Sequence, residues 1–342
     1  MGKIHLFLLV AFMFMFCTSC IEFERQDLWF RYDQKSDVLR IFSLYKGIFA
    51  EGEEFDGTEK QELSSVMVGG RTFFFSNWIT EYHASKFKEM LDELSSNVKD
   101  EQEIAADYDK SAKAIPLEEY RKNWLAAKES CSGLLKLLLD NVSIQNGKFF
   151  IKEEGKLSGW QFVEIKNASE LAKASNRAIN QTMGILPDVD KLTELSPESI
   201  ALWLKAGKEN HQWLSFENGV LIVRIPLSQD DFVKFKHAKG REIASSQKES
   251  EGLGKLGSIL ESDWWVGWRN DEAVFNIGFS SQEFNHLGMP VFSGYKPNVI
   301  EWVKSEYGLL EQQPDIKTLR ENFLKSGSVP DEVVTPLIPE RR

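Results

Sequence analysis

Three neighbouring tryptophans, Trp264, Trp265 and Trp268, form the densest group of chemistry-bearing side chains in the sequence. Indoles stack on sugars and peptides, which makes this group a candidate ligand-binding platform. Adjacent residues of a strand point to opposite faces, so Trp264 and Trp265 cannot both enter one core face. The bland alternative is a sheet covered on both sides, with the indoles as core. Other motifs carry less. Gly252, Gly254 and Gly257 match the dinucleotide fingerprint in letters. That fingerprint needs a buried strand leading into a helix, and the preceding residues, SQKESE, are too polar to be one. Beyond residue 20 the histidines are His83, His211, His237 and His286, none of them spaced four apart. Zinc needs three or four converging ligands, so no metal site is expected. Asp188 and Asp190 resemble the start of a calcium loop, but Leu192 stands at the next ligand position and the loop glycine is missing. There is no G-x-S-x-G nucleophile elbow. Cys131 lies within an apolar stripe, where a thiol behaves as a small core hydrophobe. No catalytic residue and no cofactor emerges from these patterns.

The clearest signal is the N-terminal stretch MGKIHLFLLVAFMFMFCTSC. Lys3 precedes an apolar run from Ile4 to Phe16 that is too short to span a bilayer, which takes roughly 18 residues or more. The small residues Thr18 and Ser19 then precede Cys20. This stretch resembles a bacterial lipoprotein signal, although Cys17 stands where the lipobox usually has an aliphatic residue. The resemblance covers residues 1–20 only. It implies cleavage before Cys20, lipid attachment at Cys20, and anchoring to a membrane of the cell envelope. Ile21 after the cysteine, rather than Asp, implies sorting to the outer membrane, facing the periplasm, in a Gram-negative cell.

Composition narrows the partners. The chain has 41 Lys and Arg against 52 Asp and Glu, a net charge of −11. Removing residues 1–19 takes away one Lys and no acid, which leaves the mature chain one charge more negative. Such a surface repels phosphate backbones, so nucleic acid is not an expected partner. With Cys17 removed and Cys20 acylated, Cys131 has no partner for a disulfide, and the fold must rest on its core. Ten Trp and 24 Phe can fill one.

The elements that must hold these residues can be read in order. Residues 22–49 predict a hairpin turning at QKSD, residues 51–65 a loop, and Arg71–Phe75 a strand. A helix carries Tyr82, Phe87 and Leu94. A long helix follows Pro116, with Tyr120, Trp124, Ala127, Cys131, Leu134 and Leu138 in one stripe. Asn146-Gly147 lies between apolar runs and predicts a two-residue hairpin turn, because both positions of that turn need φ > 0. Trp160–Ile165 reads as a strand, and Asn167 with Glu170 as a capping box opening the next helix. Ser196-Pro197 opens another helix, Pro297 a further one, and Asp315 the last. Residues 239–262 read as a polar loop.

Residues 213–232 can be laid on residues 265–284 at a constant offset of 52. Trp213 meets Trp265, Asn218 meets Asn270, Ile225 meets Ile277, Ser228 meets Ser280, and Phe232 meets Phe284. Each copy reads hairpin, then helix start, and two such units side by side would share one core. The expected fold is α+β, with antiparallel hairpins alternating with helices that pack mainly on one face. The expected division is a signal peptide at 1–19, an N-terminal α+β region at 20–184, a C-terminal α+β region with the repeated unit at 185–325, and a frayed tail at 326–342. The expected role is a cell-envelope lipoprotein that binds or scaffolds an envelope protein or polymer. The alternative is a membrane-anchored hydrolase acting on an envelope polymer.

Overall fold

The computed structural model describes residues 21–50, 55–68, 70–74, 80–96, 100–110, 115–151, 155–183, 185, 195–217, 220–234, 264–278, 285–290 and 298–334. The chain is α+β. Its first elements are β1 (Ile21–Asp33), β2 (Val38–Ala50), α1 (Gly57–Val68), β3 (Arg71–Phe74), β4 (Thr80–His83) and α2 (Ala84–Ser95). Next come α3 (Asp100–Lys110), α4 (Leu117–Asn141), β5 (Val142–Asn146), β6 (Phe149–Ile151), β7 (Leu157–Lys166), α5 (Ala168–Met183) and α6 (Pro197–Lys208). The remainder is β8 (Leu214–Glu217), β9 (Val220–Pro226), β10 (Trp264–Arg269), β11 (Glu272–Gly278), β12 (Asn285–Pro290), α7 (Ile300–Glu306), β13 (Leu309–Leu310) and α8 (Ile316–Ser326).

These elements form two compact units that interleave along the chain, where the sequence suggests two consecutive regions. One gathers the described residues of Lys88–Asp140 and Ala168–Gly278. The other gathers those of Phe14–Phe87, Asn141–Asn167 and Phe279–Arg342. The second unit is built on a seven-stranded sheet of order β12-β1-β2-β7-β6-β13, with β5 also paired to β7. Its centre is the long β1–β2 hairpin, which turns at residues 34–37 as the sequence predicts. Its apolar residues fall into two clusters. Trp29, Phe42, Trp160 and Phe162 pack under Leu319, Phe323 and Leu324 of α8. Phe23, Ile48, Phe149 and Leu157 pack under Leu63 and Met67 of α1 and Val303 of α7. Leu157 and Trp160 have opposite parity on β7, so this sheet carries helices on both faces.

Four local expectations change here. Residues 51–65 do not form one loop, because α1 begins at Gly57. Asp56 Oδ1 accepts from the Thr58 and Glu59 amides at 2.7 and 3.3 Å, and Glu59 Oε2 accepts from the Asp56 amide at 2.9 Å. That reciprocal box is written in the sequence as Asp56…Glu59. Asn146-Gly147 makes no turn. β5 and β6 lie end to end along β7, with Asn146 opposite Gln161 and Phe150 opposite Ser158. Three residues thus face two, which is a β-bulge. Asn167 takes φ 50° immediately before α5, and its side-chain Nδ2 donates to Asn141 Oδ1 at 2.7 Å. Finally, the chain beyond Ser326 is packed as far as Val334. Val333 is buried, its carbonyl accepts from the Lys148 amide at 2.8 Å, and Val334 bridges to Gly147.

The first unit sets α5 and α6 against a four-stranded antiparallel sheet of order β10-β11-β9-β8. The stripe of α4 is buried through Tyr120, Trp124, Ala127 and Cys131, while Leu117 at its start is 45% exposed. β9 and β11 pair in a register centred on Val223 opposite Phe275, two residues separated by the repeat offset. Val220 therefore faces Gly278 and Pro226 faces Glu272, each pair mirroring the other. The two hairpins meet through equivalent positions, as the halves of a two-fold arrangement do. Asn270 (φ 50°) and Asp271 (φ 60°) form the tight turn between β10 and β11. Asn218 lies outside the described residues, between Glu217 and Val220, which pair antiparallel. The two copies differ by Val233, which is helical where its counterpart Asn285 lies in a strand. Ser228 caps a helical turn through the Asp231 amide at 3.3 Å. Its counterpart Ser280 lies outside the described residues, and Asn285 already belongs to a strand.

Candidate functional site

Two places hold the residues singled out by the sequence. The first is β10. Its backbone places Trp264 and Trp268 on one face and Trp265 on the other. Trp268 is half-buried against Leu227, Phe232 and Ala273, and its indole N–H donates to the Leu227 carbonyl at 2.7 Å. This satisfied indole acts as packing for the first unit. The side chains of Trp264 and Trp265 lie outside the described ones, as do residues 252–257, Asp188, Asp190 and His237.

The second place is the end of the long hairpin where the chain enters the fold. Cys20 lies outside the described residues, and β1 begins at the very next one. Ile21 is 4% exposed and pairs with Ala50. The Ala50 amide donates to Asn298 Oδ1 at 3.1 Å, which holds the start of α7 against this end. Val299 and Val303 of the same segment are fully buried in the layer that contains Ile21. Around it stand three half-buried rings. Phe55 and Tyr307 both meet Trp302 edge to face, with centroids 5.2 and 5.4 Å away. The Lys60 ammonium lies 5.6 Å from the Phe55 centroid, and the Tyr307 hydroxyl donates to Ser64 Oγ at 2.9 Å. The sequence reading passed over these rings because they lie on segments far apart in the chain.

Beneath them is a cavity of about 30 Å3, lined by Ile21, Phe23, Tyr45, Leu63, Met67 and Trp160 among others. That is room for about one water, not for an organic substrate. At its side lies a buried polar network. Asn146 Nδ2 donates to the Val66 carbonyl at 2.8 Å and also to that of Met67. Gln161 Nε2 donates to Asn146 Oδ1 at 2.7 Å and to the Arg71 carbonyl at 2.8 Å. The Tyr45 hydroxyl donates to Gln161 Oε1 at 2.7 Å. The groups are neutral and paired, which suits structural specification better than proton transfer.

The titratable groups are also engaged in structure. Asp231 is nearly buried, which works against its charge, yet hydrogen bonds from Ser196, Ser199 and Lys234 outweigh that and hold its carboxyl well below the usual range. Ser199 Oγ donates to Asp231 Oδ2 at 2.7 Å, and the Ser228 amide donates to Ser199 Oγ at 2.9 Å. Two helix starts, capped by Ser196 and Ser228, are thereby locked together. A carboxylate stabilised in this way is too weak a base to activate the serine hydroxyl that it accepts from. His83 Nδ1 meets Ser85 Oγ at 3.0 Å and accepts from the Lys86 amide at 3.3 Å at the start of α2. His211 Nδ1 lies 3.6 Å from Glu272 Oε1 and its ring packs on Trp213. Burial pushes the Cys131 thiol up to about 12, so it stays protonated. Among the described residues no cluster of His, Cys, Asp and Glu could hold a metal ion, and no helix is long and apolar enough to cross a membrane.

Compared with known protein families, with curated proteins and with solved structures, the chain matches none.

Proposed function

We propose that this chain is a cell-envelope lipoprotein, held to a membrane through acyl groups on Cys20, that binds or scaffolds another envelope component. The observation that carries the reading is the fit between the signal and the start of the fold. Cleavage before Cys20 removes residues that precede β1 and leaves Ile21 in its buried place opposite Ala50. Scaffolding is favoured over hydrolysis by how the described polar groups are used. Asp231, Ser199, His83, Asn146 and Gln161 each satisfy the chain's own backbone or caps rather than converging on an open cleft. Of the β10 tryptophans, Trp265, on the strand face opposite Trp268, remains the candidate contact for a partner protein or polymer.

Intact mass of the protein extracted from membranes tests the anchor. The expected result is a chain starting at Cys20 with a lipid adduct, and a Cys20→Ala protein that leaves the detergent fraction. An unmodified mass, or cleavage elsewhere, would end the proposal. Trp265→Ala should then weaken capture of envelope components while leaving the unfolding midpoint nearly unchanged. Undiminished capture removes the tryptophan from the contact.

A further inference from the structure

The hairpin end at Ile21 carries an inference beyond attachment itself. Many anchored domains need a flexible tether, because their first buried residue lies well past the anchor point. Here the first residue after the proposed acylation site is already buried in a strand. Consecutive Cα atoms are about 3.8 Å apart, so a lipid on Cys20 holds Ile21 at the bilayer surface with almost no slack. What surrounds Ile21 must share that depth. Ala50 is directly opposite, Asn298 is bonded to Ala50, and α7 starts two residues later. This end therefore presents Trp302 and Tyr307, with Phe55 against Trp302 and Lys60 against Phe55.

We propose that this rim is a membrane-docking surface, with Trp302, Tyr307 and Phe55 in the headgroup layer of the bilayer that holds Cys20. The proposal rests on the lipoprotein reading above and adds an orientation to it. Tryptophan and tyrosine favour that layer because they have an apolar body and a polar edge. Lysines beside them extend their ammonium groups toward phosphate, and Lys60 together with the exposed Lys304 supplies two. The rest of the unit then points outward. Each strand of the β1–β2 hairpin has 13 residues. At the rise of an extended strand, the turn at residues 34–37 lies about 40 Å from Ile21.

That length makes the test. The full, acylated protein is reconstituted into phosphatidylcholine vesicles containing a lipid with a nitroxide on its headgroup. A fluorescent label is placed on Lys304→Cys in one sample and on Lys35→Cys in another. Cys20 is acylated and Cys131 is buried, so neither competes for the label. The label at position 304 should be quenched several-fold more than the label at position 35. The native indole quenching should fall in a Trp302→Phe variant. Equal, weak quenching at both positions in a protein of confirmed acyl mass overturns the docking surface and leaves the anchor standing. Absence of the acyl adduct overturns the anchor, and the docking surface with it. A label at 304 shielded from both the nitroxide and water-soluble iodide means that a protein covers the rim, which also overturns membrane docking.

Discussion

Asn146-Gly147 and Asn270-Asp271 are near-identical signals with different outcomes. Both lie between apolar runs, and both invite a two-residue turn. Asn270 and Asp271 accept, each with positive φ, and Arg269 faces Glu272 across the turn. Asn146 and Gly147 do not; neither has a positive φ, and they continue along β7 into a bulge. The difference lies in what surrounds them. Asn146 is 6% exposed and satisfies two carbonyls at the end of α1. Gly147 is glycine because the Trp160 indole occupies the space that any Cβ would take. The turn of that hairpin falls later, between β6 and β7, near Gly155 with φ 73°. An asparagine followed by glycine can thus mark a turn, or it can mark a buried amide beside a close approach.

The largest effect should come from Gly147→Val. Its side chain would overlap Trp160, and overpacking a filled core costs about 3 kcal/mol. Urea unfolding followed by tryptophan fluorescence reads it, and a loss under about 0.5 kcal/mol would mean that contact with Trp160 does not explain the glycine. Asn146→Leu comes next. It strands the Val66 and Met67 carbonyls and a Gln161 donor, at a cost of about 2 kcal/mol by the same measurement. A neutral result would return Asn146 to the surface and the motif to an ordinary turn. Asn270→Ala should cost about 1 kcal/mol, since alanine tolerates left-handed backbone less well than asparagine. Were its cost to match that of Asn146→Leu, the contrast between the two sites would collapse. The smallest effect belongs to Asp271→Gly. Relief at φ 60° roughly offsets the added chain entropy, so stability should move by no more than about 0.5 kcal/mol. The register of Arg269 opposite Glu272 should persist in amide exchange.

The paired hairpins teach a related lesson. The letters aligned at an offset of 52 find a physical counterpart in the β9–β11 register, centred on Val223 and Phe275. The two copies have parted by Val233, which is helical, and its counterpart Asn285, which opens a strand that pairs with β1 in the seven-stranded sheet. A strand edge needs hydrogen bonds, and here Asn285–Pro290 supplies them. The same need is met where Leu309 and Leu310 lie beside β6, in parallel, and where Val334 bridges to Gly147.

What could be read from the sequence alone was local. The long hairpin, the buried stripe of α4 with Cys131, the α6 cap at Ser196 and the α8 cap at Asp315 all follow from side-chain periodicity and caps within a few residues. The α1 cap at Asp56 was equally local, yet the acidic residues around it masked it. Tertiary structure decided everything that joins distant segments. It set Asn146 against α1, assembled Phe55, Trp302 and Tyr307 beside Ile21, and interleaved the two units along the chain. The physical reason is range. A cap or a stripe is closed by neighbours in sequence, whereas a strand edge, a buried amide or an apolar rim is indifferent to chain distance. Each takes whichever partner supplies the missing hydrogen bond or the missing contact.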